Sequence, residues 1–423
     1  MRNYVDLIIE NIGQLCTIPA HDGRPQRGQA LGDLGLVEDG AVAIENGFII
    51  AAGPRDEVLG KYQAVSNLDA KGRVVTPGLV DPHTHLIWAG DRAAEYEQRL
   101  AGATYQEIMA AGGGINHTVE LTRSASLADL VEQTEARLRA MVQYGTTTVE
   151  VKTGYGLDTE TEIRMLSAIA LLDSESDIDL IPTFLGAHVV PPEYADNADA
   201  YVDLLVEQMI PAAATWKAEH WPGPMFCDVF CEAGAFTLDQ ARRILEAGQM
   251  AGMGLRLHAD EFSSLGATAL AVEMRAASVD HLLVTTQHDI ELLGTSRTTA
   301  VLLPATPFSL NIENTAPAHA LLEAGAAIAL GTDCNPGTAW CESMQMVLAL
   351  ATRSLRLTPA QALAAATINA AFALDRGDYV GSLEAGKQAD IVIWNVPDYR
   401  YLSYRFGVNL VQTVFKNGRQ VVP

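Results

Sequence analysis

The feature that most limits what this chain can become is a unit of helix, glycine and short buried strand, repeated across a middle region of roughly 300 residues. Ser126 caps one such helix, and Leu127, Leu130, Val131, Leu138 and Met141 share its apolar face. Gly145 then stops it ahead of a strand at 146–151. Thr237 and Gln240 spell a capping box before the next clear helix, which reaches Gly254 and the strand 255–257. Glu323-Ala324-Gly325 precedes a strand at 327–330, and Thr358-Pro359 opens a last helix running to Ala373. Helices alternating this regularly with strands must lie outside a parallel sheet, and the length fits a TIM (β/α)8 barrel. An open doubly wound sheet is the structural alternative. No Gly-x-Gly-x-x-Gly or Gly-Lys-Ser/Thr loop opens any helix, which argues against that form and against a nucleotide cofactor.

The two ends use a different grammar. Residues 5–18 and 41–52 alternate β-formers with polar residues around an Asn46-Gly47 turn, and 412–415 and 419–422 repeat the pattern around Asn417-Gly418. Each terminal segment is marginal alone, so the economical arrangement is a small β-sandwich built from 1–74 and 381–423, flanking a barrel at 75–380. Composition narrows the partners. Lys+Arg 28 against Asp+Glu 52 gives a net charge of −24, which excludes the phosphate-neutralising surface that nucleic acids and anionic membranes require. Apolar runs all break well short of the roughly 18 residues a membrane span needs. Asp6 interrupts the stretch where a secretory signal would be apolar, so the expected location is the cytoplasm. Five scattered cysteines, Cys16, Cys227, Cys231, Cys334 and Cys341, read as reduced thiols, and Cys227 and Cys231 as packing residues without a second thiol pair to complete a metal site.

In a barrel of this kind reactive groups belong at the C-terminal ends of strands. The first barrel strand, read at 74–80, runs into Asp81-Pro82-His83-Thr84-His85, where the two-residue period aims both imidazoles at the barrel mouth. Later strands end in His258-Ala259-Asp260-Glu261, in His281 and in Thr332-Asp333. Imidazoles and a carboxylate gathered at four strand ends are the N and O ligands a divalent metal takes. Asp81 and Asp280 face the other way and read as supports. His21, His117, His220, His288 and His319 lie away from strand ends and read as surface or packing residues.

These residues resemble the amidohydrolase superfamily. The resemblance runs from end to end and is carried by Asp81 to His85 continuing to Gly90-Asp91-Arg92, Gly112-Gly113-Gly114-Ile115, the run Glu150 to Leu157, Thr183 to His188, His258 to Glu261, and Thr332 to Thr338. Within the superfamily the combination of Gly-Asp-Arg, Gly-Tyr-Gly-Leu and Asn-Pro-Gly is similar to the branch that opens the cyclic amide of 4-imidazolone-5-propanoate. Thr153 stands where that branch often has Ser. The resemblance implies one Zn²⁺ or iron ion held by His83, His85, His258 and Asp333, and substrate contacts from Arg92, Tyr155, His188, Glu261, Asn335, Gly337 and Thr338. It also implies a homodimer.

Ring opening requires a hydroxide, a polarised carbonyl and a proton for the departing nitrogen. Asp333 is expected to take the proton from water and Glu261 to deliver one to nitrogen, with His281 orienting water or stabilising the oxyanion. The small-molecule substrate carries a carboxylate, and a chain of −24 needs a local cation to hold it, for which Arg92 offers a bidentate fork. Three readings compete with these: a surface ion pair of Arg92 with Asp91 or Glu95, a carbamylated Lys152 bridging two metals, and deamination of a base such as cytosine or guanine. A scaffold that has lost its chemistry would show missing ligands, and none is missing. The Gly112–Gly114 stretch reads equally as a lid or a tight loop.

Overall fold

The computed structural model describes residues 2–102 and 113–423. Eight strands in the order β6 (Leu79–Asp81), β7 (Thr146–Lys152), β8 (Asp179–Ala187), β9 (Phe226–Cys231), β10 (Gly254–Ala259), β11 (Ser278–His281), β12 (Thr299–Leu302) and β13 (Ile328–Leu330) pair in parallel, each with its neighbour in sequence. Between β13 and β6 the ring is closed just past the strand ends. There Asp333 donates its N–H to the His83 carbonyl at 3.0 Å, and His85 donates to Cys334 at 2.9 Å. The segments bearing the candidate ligands are therefore the closing seam of the barrel.

The helices begin where their caps predict. Ser126 with Asp129 and Thr237 with Gln240 form complete capping boxes, and Gly145 and Gly325 take left-handed φ values of 94° and 91° that end their helices without a Cβ clash. The last helix differs from the expected continuous run. It divides into Pro359–Ala365 and Ile368–Ala373, because Ala366 gives its carbonyl to the Val80 N–H at 2.9 Å and Thr367 leaves helical geometry.

The terminal segments form one continuous mixed sheet, in the order β16 (Arg419–Val422), β15 (Val411–Lys416), β14 (Ile391–Trp394), β5 (Val74–Pro77), β1 (Asn3–Cys16), β2 (Leu36–Glu45) and β3 (Phe48–Pro54), with β4 (Tyr62–Asp69) also on β1. A bulge between Ile9 and Ile12 lets β1 carry β4 along its first half and β5 along its second. Ile9, Ile12, Leu15, Val42, Val75 and Ile391 pack there as a separate small core. Both hairpin turns are as read: Asn46-Gly47 and Asn417-Gly418 each place two residues at positive φ, the requirement of a type I′ turn.

The strand expected at 74–80 is cut in two. Val74–Pro77 belongs to the terminal sheet and only Leu79–Asp81 to the barrel, with Gly78 as the crossing. Pro77 has no N–H to continue a ladder, and a Cβ at Gly78 would sit 2.1 Å from Thr147 Oγ1. Among the described residues no helix is long and apolar enough to cross a membrane. Gly78→Ala should destabilise the protein by ~1–3 kcal/mol, the usual cost of forcing a methyl group into a full interior, read as a lower urea midpoint at unchanged slope.

Candidate active site

Four strand ends deliver the candidate ligands to one point. His83 and His85 follow β6, His258 lies within β10, His281 ends β11, and Asp333 follows β13. One ligand atom from each of His83, His85 and Asp333 falls within 4.8 Å of the others, and the same holds for His83, His258 and His281. Asp333 Oδ1 is 3.6 Å from His83 Nε2 and 3.5 Å from His85 Nε2, while the Nε2 atoms of His85 and His258 face each other at 3.2 Å.

A layer of buried charge holds these rings. His83 Nδ1 is 2.6 Å from Asp280 Oδ2, and His258 Nδ1 is 3.1 Å from Asp228 Oδ1. Lys152 donates to Glu150 at 2.6 Å and to Asp228 at 2.7 Å, and Arg256 donates to Asp280 at 3.1 Å. All five of these charged side chains are fully buried. Burial works to raise the Asp228 carboxyl, but the charges of His258 and Lys152 carry it well below the usual carboxylate range. Lys152 is thus an ion-pair partner, aimed between two carboxylates. Asp81 sits behind the seam, accepting from the Thr332 N–H at 3.1 Å and its hydroxyl at 2.6 Å; burial pushes its carboxyl up to about 7.

Above the histidines lies a cavity of about 600 Å³ lined by His85, Arg92, Tyr155, His188, His258, Glu261, His281, Asp333, Asn335, Gly337 and Thr338. Of the candidate ligands, catalytic groups and substrate contacts, only His83 is absent from the lining. Glu261 projects into this space; burial, then the nearby charges of Asp333 and Glu232, hold its carboxyl well above the ordinary range, which favours its protonated form. His281 Nδ1 is 3.6 Å from Glu261 Oε1. Burial also pushes Asp333 up to about 6 and His188 down to about 3. His188 donates from Nδ1 to the Gly154 carbonyl, 3.0 Å away, and stacks on His85 with ring centres 4.9 Å apart.

Arg92 pairs with Glu95 in the wall of the cavity and not on the open surface. Its Nε donates to Glu95 at 2.8 Å, and it lines the cavity with its outer nitrogens beside Gly337. A Cβ at Gly337 would come within 2.3 Å of Arg92 Nη1, so a side chain there would push the guanidinium aside. Asn335 spends its side chain on its own turn: Oδ1 accepts from the N–H groups of Gly337 and Thr338 at 2.9 and 2.7 Å, and Nδ2 donates to the Asp333 carbonyl at 2.7 Å. Gly112 lies outside the described residues, and with it the choice between lid and tight loop; Gly114 donates to Glu95 at 3.0 Å.

Several participants were missed. Asp228 and Arg256 each sit mid-strand among apolar residues, Cys227-Asp228-Val229 and Leu255-Arg256-Leu257, and a charge inside a buried strand is the signal that marks them. Glu95, Arg99 and Glu232 also line the cavity, and nothing in their local pattern distinguishes them from surface charges.

A parallel eight-stranded barrel with histidines and an aspartate converging at its mouth defines an amidohydrolase. The model of the amidohydrolase family matches residues 74–421, and the chain belongs to that family. It is 51% identical over 420 residues to an imidazolonepropionase of Herpetosiphon aurantiacus, covering 99% of this chain and 97% of that one. It is 50% identical over 421 residues to an imidazolonepropionase of Chloroflexus aggregans, covering 99% and 98%. Within the family, then, the chain belongs with the imidazolonepropionases. A solved adenosine deaminase from Xanthomonas campestris with bound zinc shares the fold at a TM-score of 0.67 and 20% identity, over 100% of this chain and 94% of that one.

Lys152→Met should cost ~3–5 kcal/mol of stability, because it leaves the Glu150 and Asp228 carboxylates buried without their cation. Urea unfolding measures it, and a loss below about 1 kcal/mol, the size of an exposed pair, would refute the account of this layer.

Proposed function

We propose that this chain hydrolyses the ring amide of 4-imidazolone-5-propanoate to N-formimino-L-glutamate, with one Zn²⁺ or iron ion per subunit held by His83, His85, His258 and Asp333. The observation that carries the proposal is the joint presence of that donor set and a guanidinium on one cavity wall, with Arg92 beside the Asn335-Gly337 turn.

The donors suit a metal. With Nδ1 of His83 on Asp280 and Nδ1 of His258 on Asp228, each Nε2 is left as a lone pair, and that of His83 has no partner among the described residues. The Nε2 atoms of His85 and His258 face each other at 3.2 Å, a pairing that either an N–H of one ring or a bound cation satisfies. A bound divalent ion supplies Lewis acidity and a water acidic enough to ionise near neutral pH.

The protein's own groups supply the rest. Arg92, its Nε fixed by Glu95, turns its outer nitrogens to the propionate; the Tyr155 hydroxyl and His188 contact the ring. Asp333 accepts a proton from the attacking water, whose oxygen bonds to the carbonyl carbon. His281 steadies the resulting oxyanion, a contribution typically worth ~3–4 kcal/mol. The ring C–N bond then breaks, and the nitrogen takes the proton that Glu261 carries, leaving a new carboxylate and the open formimino chain. We assign the enzyme to the cytoplasm as a homodimer; five unpaired thiols support a reducing compartment.

Metal-loaded protein should consume imidazolone propionate, seen as loss of ring absorbance, and leave cytosine and guanine unchanged; turnover of a free base alone would overturn the assignment. Arg92→Gln should raise KM with metal content intact. His258→Ala should lower bound metal by elemental analysis, and Asp280→Asn should weaken metal affinity ~10–100-fold by freeing the His83 ring.

A further inference from the structure

At the end of the barrel opposite the histidines, a second cleft of about 630 Å³ lies between the segment 23–27 and the starting ends of β10, β11 and β12. Its floor is fixed. Gln26 and Asn369 exchange two hydrogen bonds of 2.8 Å, and Gly28 donates to the Ala326 carbonyl at 3.1 Å. Arg27 donates to the carbonyls of Gly325 and Gly294 at 3.0 and 3.1 Å, which holds its guanidinium in place without neutralising it.

Three more arginines, Arg24, Arg275 and Arg297, line the same cleft, and none makes an ion pair or side-chain hydrogen bond with a described residue. The single acid on the described lining is Asp375. Elsewhere on the surface Arg123, Arg242, Arg243, Arg400 and Arg419 each meet a carboxylate, while Arg356 and Arg405 stand singly without one. In a chain with 52 acids and 28 Lys and Arg, a lining of four arginines and one acid reverses the overall balance. Four guanidiniums around one cleft repel each other, and that repulsion is relieved by an anion able to accept several planar forks at once.

We propose that this cleft binds a small multivalent oxyanion, such as a phosphate monoester or a dicarboxylate, at a site separate from the catalytic cavity. The volume suits a small metabolite. Because the segment 23–27 joins the terminal sheet to the barrel floor, the ligand fastens one to the other.

Titration calorimetry of the metal-loaded protein with inorganic phosphate, glycerol 3-phosphate and succinate, against chloride at equal ionic strength, tests this. Wild type should bind one anion per subunit at this site; whether the phosphates or succinate bind more tightly identifies the class. The double variant Arg275→Gln, Arg297→Gln should bind at least tenfold more weakly, keep its turnover, and melt no lower than wild type without anion. Arg92→Gln should bind as wild type does, since it alters only the catalytic cavity. Equal affinity in wild type and the double variant, or no binding above chloride, would sink the proposal.

Discussion

Five buried charges, Glu150, Lys152, Asp228, Arg256 and Asp280, form the layer on which the active site stands. Each would be costly alone in a barrel interior, and each is tolerated because an opposite charge lies within hydrogen-bonding distance. The layer does not gain the fold much net stability. It fixes orientation: Asp280 and Asp228 take the inner nitrogens of His83 and His258, and Lys152 and Arg256 hold those carboxylates in place. The outer nitrogens then point to one centre before any ion arrives.

The same economy shapes the cavity above. Burial near Asp333 and Glu232 raises the Glu261 carboxyl and favours its protonated form, while Arg92 is held by Glu95. A single apolar-walled space thus presents an acid at one side and a cation at the other, the pair of groups that a cyclic amide with an anionic tail calls for. Gly337 sets the distance between the cation and the turn behind it.

Much of this was legible in the sequence because barrel geometry converts strand ends into a single location. Asp81-Pro82-His83-Thr84-His85, His258, His281 and Asp333 could be placed together without knowing any distance. The helix caps were equally legible, since Ser126 and Thr237 act within their own turns. What escaped depends on neighbours far along the chain. Gly78 divides a strand because Thr147 stands against it, and Thr367 breaks a helix because Val80 needs the Ala366 carbonyl. Asp228 was overshadowed by its flanking cysteines, and its role becomes plain only when Lys152 and His258 are seen on either side of it.

The seam between β6 and β13 carries one further consequence. The backbone bonds that shut the ring join His83 to Asp333 and His85 to Cys334, so closing the ring also brings these candidate ligands together. An ion occupying that sphere would act as a clasp on the cylinder, and its loss would slacken the wall at the very staves that hold it.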